Sequence, residues 1–279
     1  MTVRKLGGAT IEKVEEICGA GFKPARMFPR FNQEAFDAQK GWMQPDHVEP
    51  GSDRLVGSVH TWVVKTPRHT ILIDTCLGNH KQRTNPGWRN LDTPFLNRLK
   101  ACGCPPESVD FVMCTHLHVD HVGWNTKLED GRWVPTFPNA KYLFSRTDDA
   151  YWDVRKNPAM ATDPRHMAYE DSVLPVVQSG QAVLVDDGYD VTGKLSVEAA
   201  PGHSPGHVLF KLADAGSLTQ EGAGELGKRL HFLPRGWGNG GSVATTRPRC
   251  ARPQTIDLLC GVGLAAYFYF IPDASWSFL

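Results

Sequence analysis

The sequence has no surplus of charge of either sign: Lys and Arg together number 30, and so do Asp and Glu. Without a basic field nothing is there to neutralise a phosphate backbone irrespective of its sequence, so no nucleic-acid partner is expected. C-x-x-C pairs are also absent, and the seven Cys are scattered at 18, 76, 102, 104, 114, 250 and 260. An odd, dispersed set argues against a disulfide framework and fits reduced thiols in a cytoplasm. Long apolar runs are missing too. The most apolar one, Leu258 to Ile271, is 14 residues with two Gly, short of the about 20 that a membrane-spanning helix needs. Met1 to Ala20 carries Glu12, Glu15 and Glu16 with no uninterrupted apolar core, so no secretory signal is expected there. The expectation is a cytoplasmic protein with a small-molecule substrate and no membrane partner, its oligomeric state open.

What is present is a hydrophobic content of 41% in 279 residues, ample for one large domain or two small ones. The chemistry concentrates in one stretch, Thr115-His116-Leu117-His118-Val119-Asp120-His121-Val122-Gly123. It follows a run, Val109 to Thr115, that reads as a buried strand. On extended backbone His116 and His118 project to one side while Leu117 points into apolar packing, so two nitrogens can grip one ion. Asp120 and His121 fall where the chain turns, Gly123 supplying dihedrals that other residues resist, and can reach a second ion. Imidazole and carboxylate suit zinc, with iron, manganese or cobalt as alternatives. The bland alternative is a solvated loop that happens to hold histidines.

His116-x-His118-x-Asp120-His121 resembles the signature of the metallo-β-lactamase superfamily, metal-dependent hydrolases of αββα fold. Two further stretches match in order: Ile71-Leu72-Ile73-Asp74-Thr75 is similar to that family's strand ending in Asp, and Ala200-Pro201-Gly202-His203-Ser204-Pro205-Gly206-His207 to its next ligand loop. The resemblance covers about residues 8 to 213. It implies an α/β sandwich in which His116, His118 and His203 hold one Zn²⁺ with an open position for water, and Asp120 orients that water or accepts its proton. It also implies that Asp74 orients the ligand loop, a turn cap being the alternative, and that His207 is not a ligand. Among family members the short motif looks most like lactonase or esterase relatives. Iron-dependent thiol oxidation is the alternative within the superfamily, and a metal-binding but inactive chain the alternative outside catalysis.

Along the chain, strands are expected at Ala9 to Ile17, Val56 to Lys65, Thr70 to Asp74, Lys141 to Phe144, Gln181 to Val185, Leu195 to Ala199 and Val208 to Leu212. Helices are expected at Thr93 to Cys102 and from Thr147 to Val154, where Asp148 and Asp149 favour the first turn, with helical or irregular structure from Arg165 to Gln178. Met27 to Ser52, with Pro29, Pro45 and Pro50 among aromatics, reads as a long surface loop. His80 and His166 lack partners in any motif and read as structural.

Residues 1–213 therefore form the expected domain and 214–279 an atypical tail. After Glu225 no acid occurs until Asp257, and past Arg252 there is no Lys or Arg. The resemblance implies a Gly-Asp whose carboxylate bridges two metals and a final His, and neither is evident: His231 is the only His left and Asp257 lacks the context. One metal is expected to bind well and a second poorly. The change of character after Leu212 points to a shift of reading frame between about codons 213 and 225, or a replaced end of the gene. The alternative is a divergent C-terminus that packs Leu258 to Ile271 against the sheet.

Overall fold

The computed structural model describes residues 3–6, 8–28, 30–212 and the backbone of 230–231. Its strands are β1 (Arg4–Leu6), β2 (Ala9–Ala20), β3 (Val56–Lys65), β4 (Thr70–Ile73), β5 (Phe111–Met113), β6 (Thr126–Glu129), β7 (Arg132–Pro135), β8 (Lys141–Ser145), β9 (Ala182–Val185), β10 (Leu195–Ala199), β11 (Val208–Leu212) and β12 (Leu230–His231). Its helices are α1 (Pro24–Met27), α2 (Gln33–Met43), α3 (Phe95–Ala101), α4 (Val119–Val122), α5 (Arg146–Trp152), α6 (Met167–Ser172) and α7 (Leu174–Gln178). A seven-stranded sheet runs β1-β2-β3-β4-β5-β8-β9, antiparallel as far as β4 and parallel beyond it. β10, β11 and β12 make a second, antiparallel sheet, and β6 and β7 a separate hairpin.

Side-chain alternation assigns each face of the large sheet to a different core. On one face Val63, Leu72, Val112 and Tyr142 pack with Phe95 and Leu99 of α3, Trp152 of α5, Tyr169 of α6 and Val176 of α7. On the other, Val64, Ile71, Ile73, Met113 and Leu143 meet Leu195, Val197, Val208, Phe210 and Leu212 of the small sheet. Helices, sheet and sheet are thus layered, and burying Ile71, Leu72 and Ile73 completely on both faces requires both layers. The α/β class expected from the sequence is the class observed.

Three local expectations are corrected. The stretch 27–52 is not simply a loop: α2 lies inside it, its N-terminus capped by the Asn32 side chain accepting from Ala35 N at 2.9 Å. Pro45 and Pro50 lie beyond the end of that helix, and Phe36 and Met43 bury against Val48 and Leu55 in a core of their own. The strand expected over 109–115 is only Phe111–Met113, so the histidine motif leaves the sheet before it begins. Gly123 sits at φ −57° and ψ −47°, an ordinary right-handed conformation. Its glycine is required by space instead: a Cβ there would come 1.9 Å from the backbone C and O of Leu77. The readings made for the tail, including Asp257 and the segment 258–271, lie outside the described residues.

Candidate metal centre

β4, β5 and β8 are parallel neighbours, so their C-terminal ends open on one edge of the sheet, the place where such sheets present functional groups. Asp74 follows β4, the motif 115–123 follows β5 and α5 follows β8. The turn between β10 and β11 joins the same edge through Val208 N, which donates to Thr115 O at 2.9 Å. There the ligand atoms of His116, His118 and His203 lie within 4.8 Å of one another, and His118 Nδ1 is 3.0 Å from His203 Nε2. His116 is buried and His203 exposed, so the cluster faces outward from the core.

Hydrogen bonding selects the free nitrogen of His116. Asp74 accepts from Thr115 N at 2.7 Å and from Thr115 Oγ1 at 2.9 Å. With its proton committed to Asp74, the Thr115 hydroxyl is left to accept from His116 Nδ1, 3.1 Å away. His116 Nε2 then carries a lone pair, and it is buried without any hydrogen-bond partner. A buried acceptor with nothing to accept costs about 1–3 kcal/mol, which a cation at that point would offset. Three neutral imidazole nitrogens converging on one point are a sufficient protein set for a catalytic zinc, so the residues present fit such an ion.

Electrostatics keep those rings neutral. Burial, and then the neighbouring imidazoles, hold His116 well below its usual range. Burial followed by His203 lowers His118 to about 3. Asp120 and His121 behave differently. Burial opposes the charge on His121, but the carboxylates of Asp120 and Asp74 outweigh it and push the ring up to about 10. Asp74 Oδ2 is 2.8 Å from His121 Nδ1, and Asp120 Oδ2 is 3.5 Å from His121 Nε2. Burial alone would raise the Asp120 carboxyl, but His121 and then His118 draw it well below the carboxylate range. An ion bound at Asp120 and His121 would have to displace the proton on Nε2.

All the residues singled out from the motifs therefore meet at this edge: His116, His118 and His203 as one cluster, Asp120 and His121 as a pair beside it, and Asp74 behind. His207 stacks on His116 with ring centroids 4.6 Å apart and both its nitrogens buried without partners, but it does not join the cluster. His80 lies exposed on its loop, and His166 Nδ1 meets Asp163 O at 2.5 Å. His231 pairs by its backbone with Lys211, toward the end of β11 remote from His207. Two residues of the site escaped the sequence reading. Thr115 looked like the end of a strand, and Asp148 like an acid suited to a helix start; only the fold carries either to the ligands.

Residues 54–217 match the profile of the metallo-beta-lactamase superfamily. The N-acyl homoserine lactonase AttM of Azorhizobium caulinodans is 29% identical over 131 residues, 46% of this chain and 45% of that protein. The match thus spans less than half the length of that relative. Among solved structures, the hydrolase AbOPH of the beta lactamase superfamily superposes with a TM-score of 0.61 at 22% identity, covering 82% of this chain and 72% of the other. AidC, a dizinc quorum-quenching lactonase in complex with the product N-hexanoyl-L-homoserine, gives 0.54 at 20% identity, over 77% of this chain and 70% of its own. At these identities the likeness of the two structures is one of fold.

Proposed function

The chain belongs to the metallo-beta-lactamase superfamily, and from that premise we propose that it is a zinc-dependent hydrolase that opens lactones or related esters of small molecules. The observation that carries this reading is the unpartnered, buried Nε2 of His116 beside His118 and His203. The lactone preference draws its support from the lactonase relative, which matches less than half of its own length.

His116, His118 and His203 would hold the ion. When bound, zinc lowers the pKa of water toward about 7 and polarises the carbonyl under attack. The protein's part is positioning and proton transfer. Asp120, kept ionised by the imidazoles beside it, accepts the proton of the attacking water and returns it to the alkoxide oxygen as the ring C–O bond breaks. The product is the hydroxy acid. His121 cannot swing toward Asp120 and away from Asp74, because Asp74 holds its Nδ1 while Thr115 holds Asp74. The whole set is therefore braced from the end of β4.

A second reading, a chain that binds metal without turnover, draws on the incomplete second position: among the described residues, only Asp120 and His121 are placed to serve it. One experiment separates the two. The full chain, loaded with zinc, is assayed on panels of lactones and aryl esters beside His116→Ala. Hydrolysis that His116→Ala loses supports the hydrolase, and equal rates in the two proteins sink it.

A further inference from the structure

His118 and His203 are 85 residues apart in sequence, on loops of two different sheets, so neither loop by itself fixes their separation. One carboxylate reaches both loops. Asp148, fully buried in the first turn of α5, accepts through Oδ2 from Leu117 N at 3.0 Å and from Ser204 Oγ at 2.9 Å, and through Oδ1 from Gly206 N at 2.6 Å. Leu117 stands between the first two imidazoles, and Ser204 directly follows the third. Gly206 makes the approach feasible, because a Cβ on it would meet Asp148 N at 2.3 Å and Ser145 Oγ at 2.5 Å.

We propose that Asp148 is a positioning residue that clamps the two ligand loops together and so sets the spacing of His118 against His203. The proposal rests on the reading of His116, His118 and His203 as the ligand set. Its logic is one of donor and acceptor. An ionised carboxylate only accepts, and all three of its neighbours donate, so one buried side chain satisfies both loops at once. Asparagine has nearly the same shape but turns one oxygen into a donor facing a donor. In either orientation the new amide nitrogen faces a backbone N–H that can only donate, that of Gly206 or that of Leu117, and the loops part. Burial outweighs the donors and raises the Asp148 carboxyl above its usual range, with Leu117, Gly206 and Ser204 working against that rise.

The test is a Co²⁺ titration of the full chain, followed by visible absorption, beside amide hydrogen exchange of the metal-free protein. Asp148→Asn should weaken Co²⁺ binding by roughly ten- to a hundredfold, the range for groups that orient metal ligands, and shift the absorption bands. The amides of Leu117 and Gly206 should exchange faster. Ser204→Ala, which removes one of the three donors, should give a smaller loss in the same direction. Ile11→Ala, buried on β2 where it pairs with Arg4 and Val64, should lower the melting temperature and leave the cobalt spectrum alone. A folded Asp148→Asn protein with unchanged affinity and spectrum overturns the proposal. If that variant does not fold, unchanged Co²⁺ binding and Gly206 exchange in Ser204→Ala overturn it instead. A wild-type chain that takes up no Co²⁺ overturns the ligand reading and this proposal together, whereas wild-type binding with indifferent variants overturns this proposal alone.

Discussion

Asp74→Asn is the perturbation that asks most of the site. Asp74 is buried, sits at φ 58°, and accepts from Thr115 N, Thr115 Oγ1 and His121 Nδ1 at 2.7, 2.9 and 2.8 Å. Alanine would strand at least two buried donors, at about 1–3 kcal/mol each, and would strain a left-handed backbone position that Asp and Asn tolerate better. A loss near 4 kcal/mol is a large part of the roughly 5–15 kcal/mol that holds a domain together, so alanine would confuse stability with function. Asparagine keeps the backbone conformation and one acceptor for Thr115. Its amide nitrogen then faces His121 Nδ1, which must give up its proton, so that the ring's one remaining proton sits on Nε2, the nitrogen directed at Asp120. Metal affinity at the Asp120 and His121 position and lactone turnover should both fall, by about 10–100-fold, with little change in melting temperature. Nitrogen-15 NMR of the His121 ring reads the tautomer directly. Wild-type turnover together with a proton still on Nδ1 would refute the bracing role given to Asp74.

Other perturbations report on neighbouring parts. Gly123→Ala should destabilise by about 3 kcal/mol, the upper end for overpacking, because its Cβ would overlap the Leu77 backbone; chemical denaturation measures this, and a loss under about 1 kcal/mol would show that the turn can yield. His60 is held down to about 4, by burial first and then by the charge of Lys13. Its unfolded counterpart protonates first as pH falls, so this group removes stability between about pH 6.5 and 4, up to about 3 kcal/mol, and contributes nothing above that window. His60→Phe should flatten the pH dependence of unfolding there, and identical slopes in the two proteins would contradict the assignment. Dialysis against a mild chelator should leave about one zinc per chain, since three imidazoles suffice for one ion and Asp120 with His121 do not for another. Two retained equivalents would mean that residues outside 3–212 complete the second position.

Much of the fold was legible because its strands are short apolar runs with punctuation. Leu195–Ala199 and Val208–Leu212 occur as expected, and the strand, helix and strand expected at 70–74, 93–102 and 109–115 occur in that order as β4, α3 and β5. α2 was not, since only Phe36 and Met43 of its residues are buried and so sparse a stripe does not outweigh prolines on either side. The histidine cluster was suggested locally only at His116 and His118, by their spacing. His203 depended on a resemblance, because closure over 85 residues belongs to the fold. Glu16 shows the limit most plainly. As one of several acids on β2 it looks solvent-facing, yet an irregularity in register between Glu15 and Ile17 turns it inward, where it accepts from Leu77 N at 2.7 Å and Trp124 Nε1 at 2.6 Å. A period-two pattern cannot announce the bulge that breaks it.

The ligand set itself is open to direct observation in a crystal of the zinc-loaded protein, with diffraction recorded on both sides of the zinc absorption edge. An anomalous peak about 2.0–2.1 Å from His116 Nε2, His118 Nδ1 and His203 Nε2 is the expected result. Zinc bound at other side chains, or a fully loaded crystal with no peak among these three rings, would contradict it.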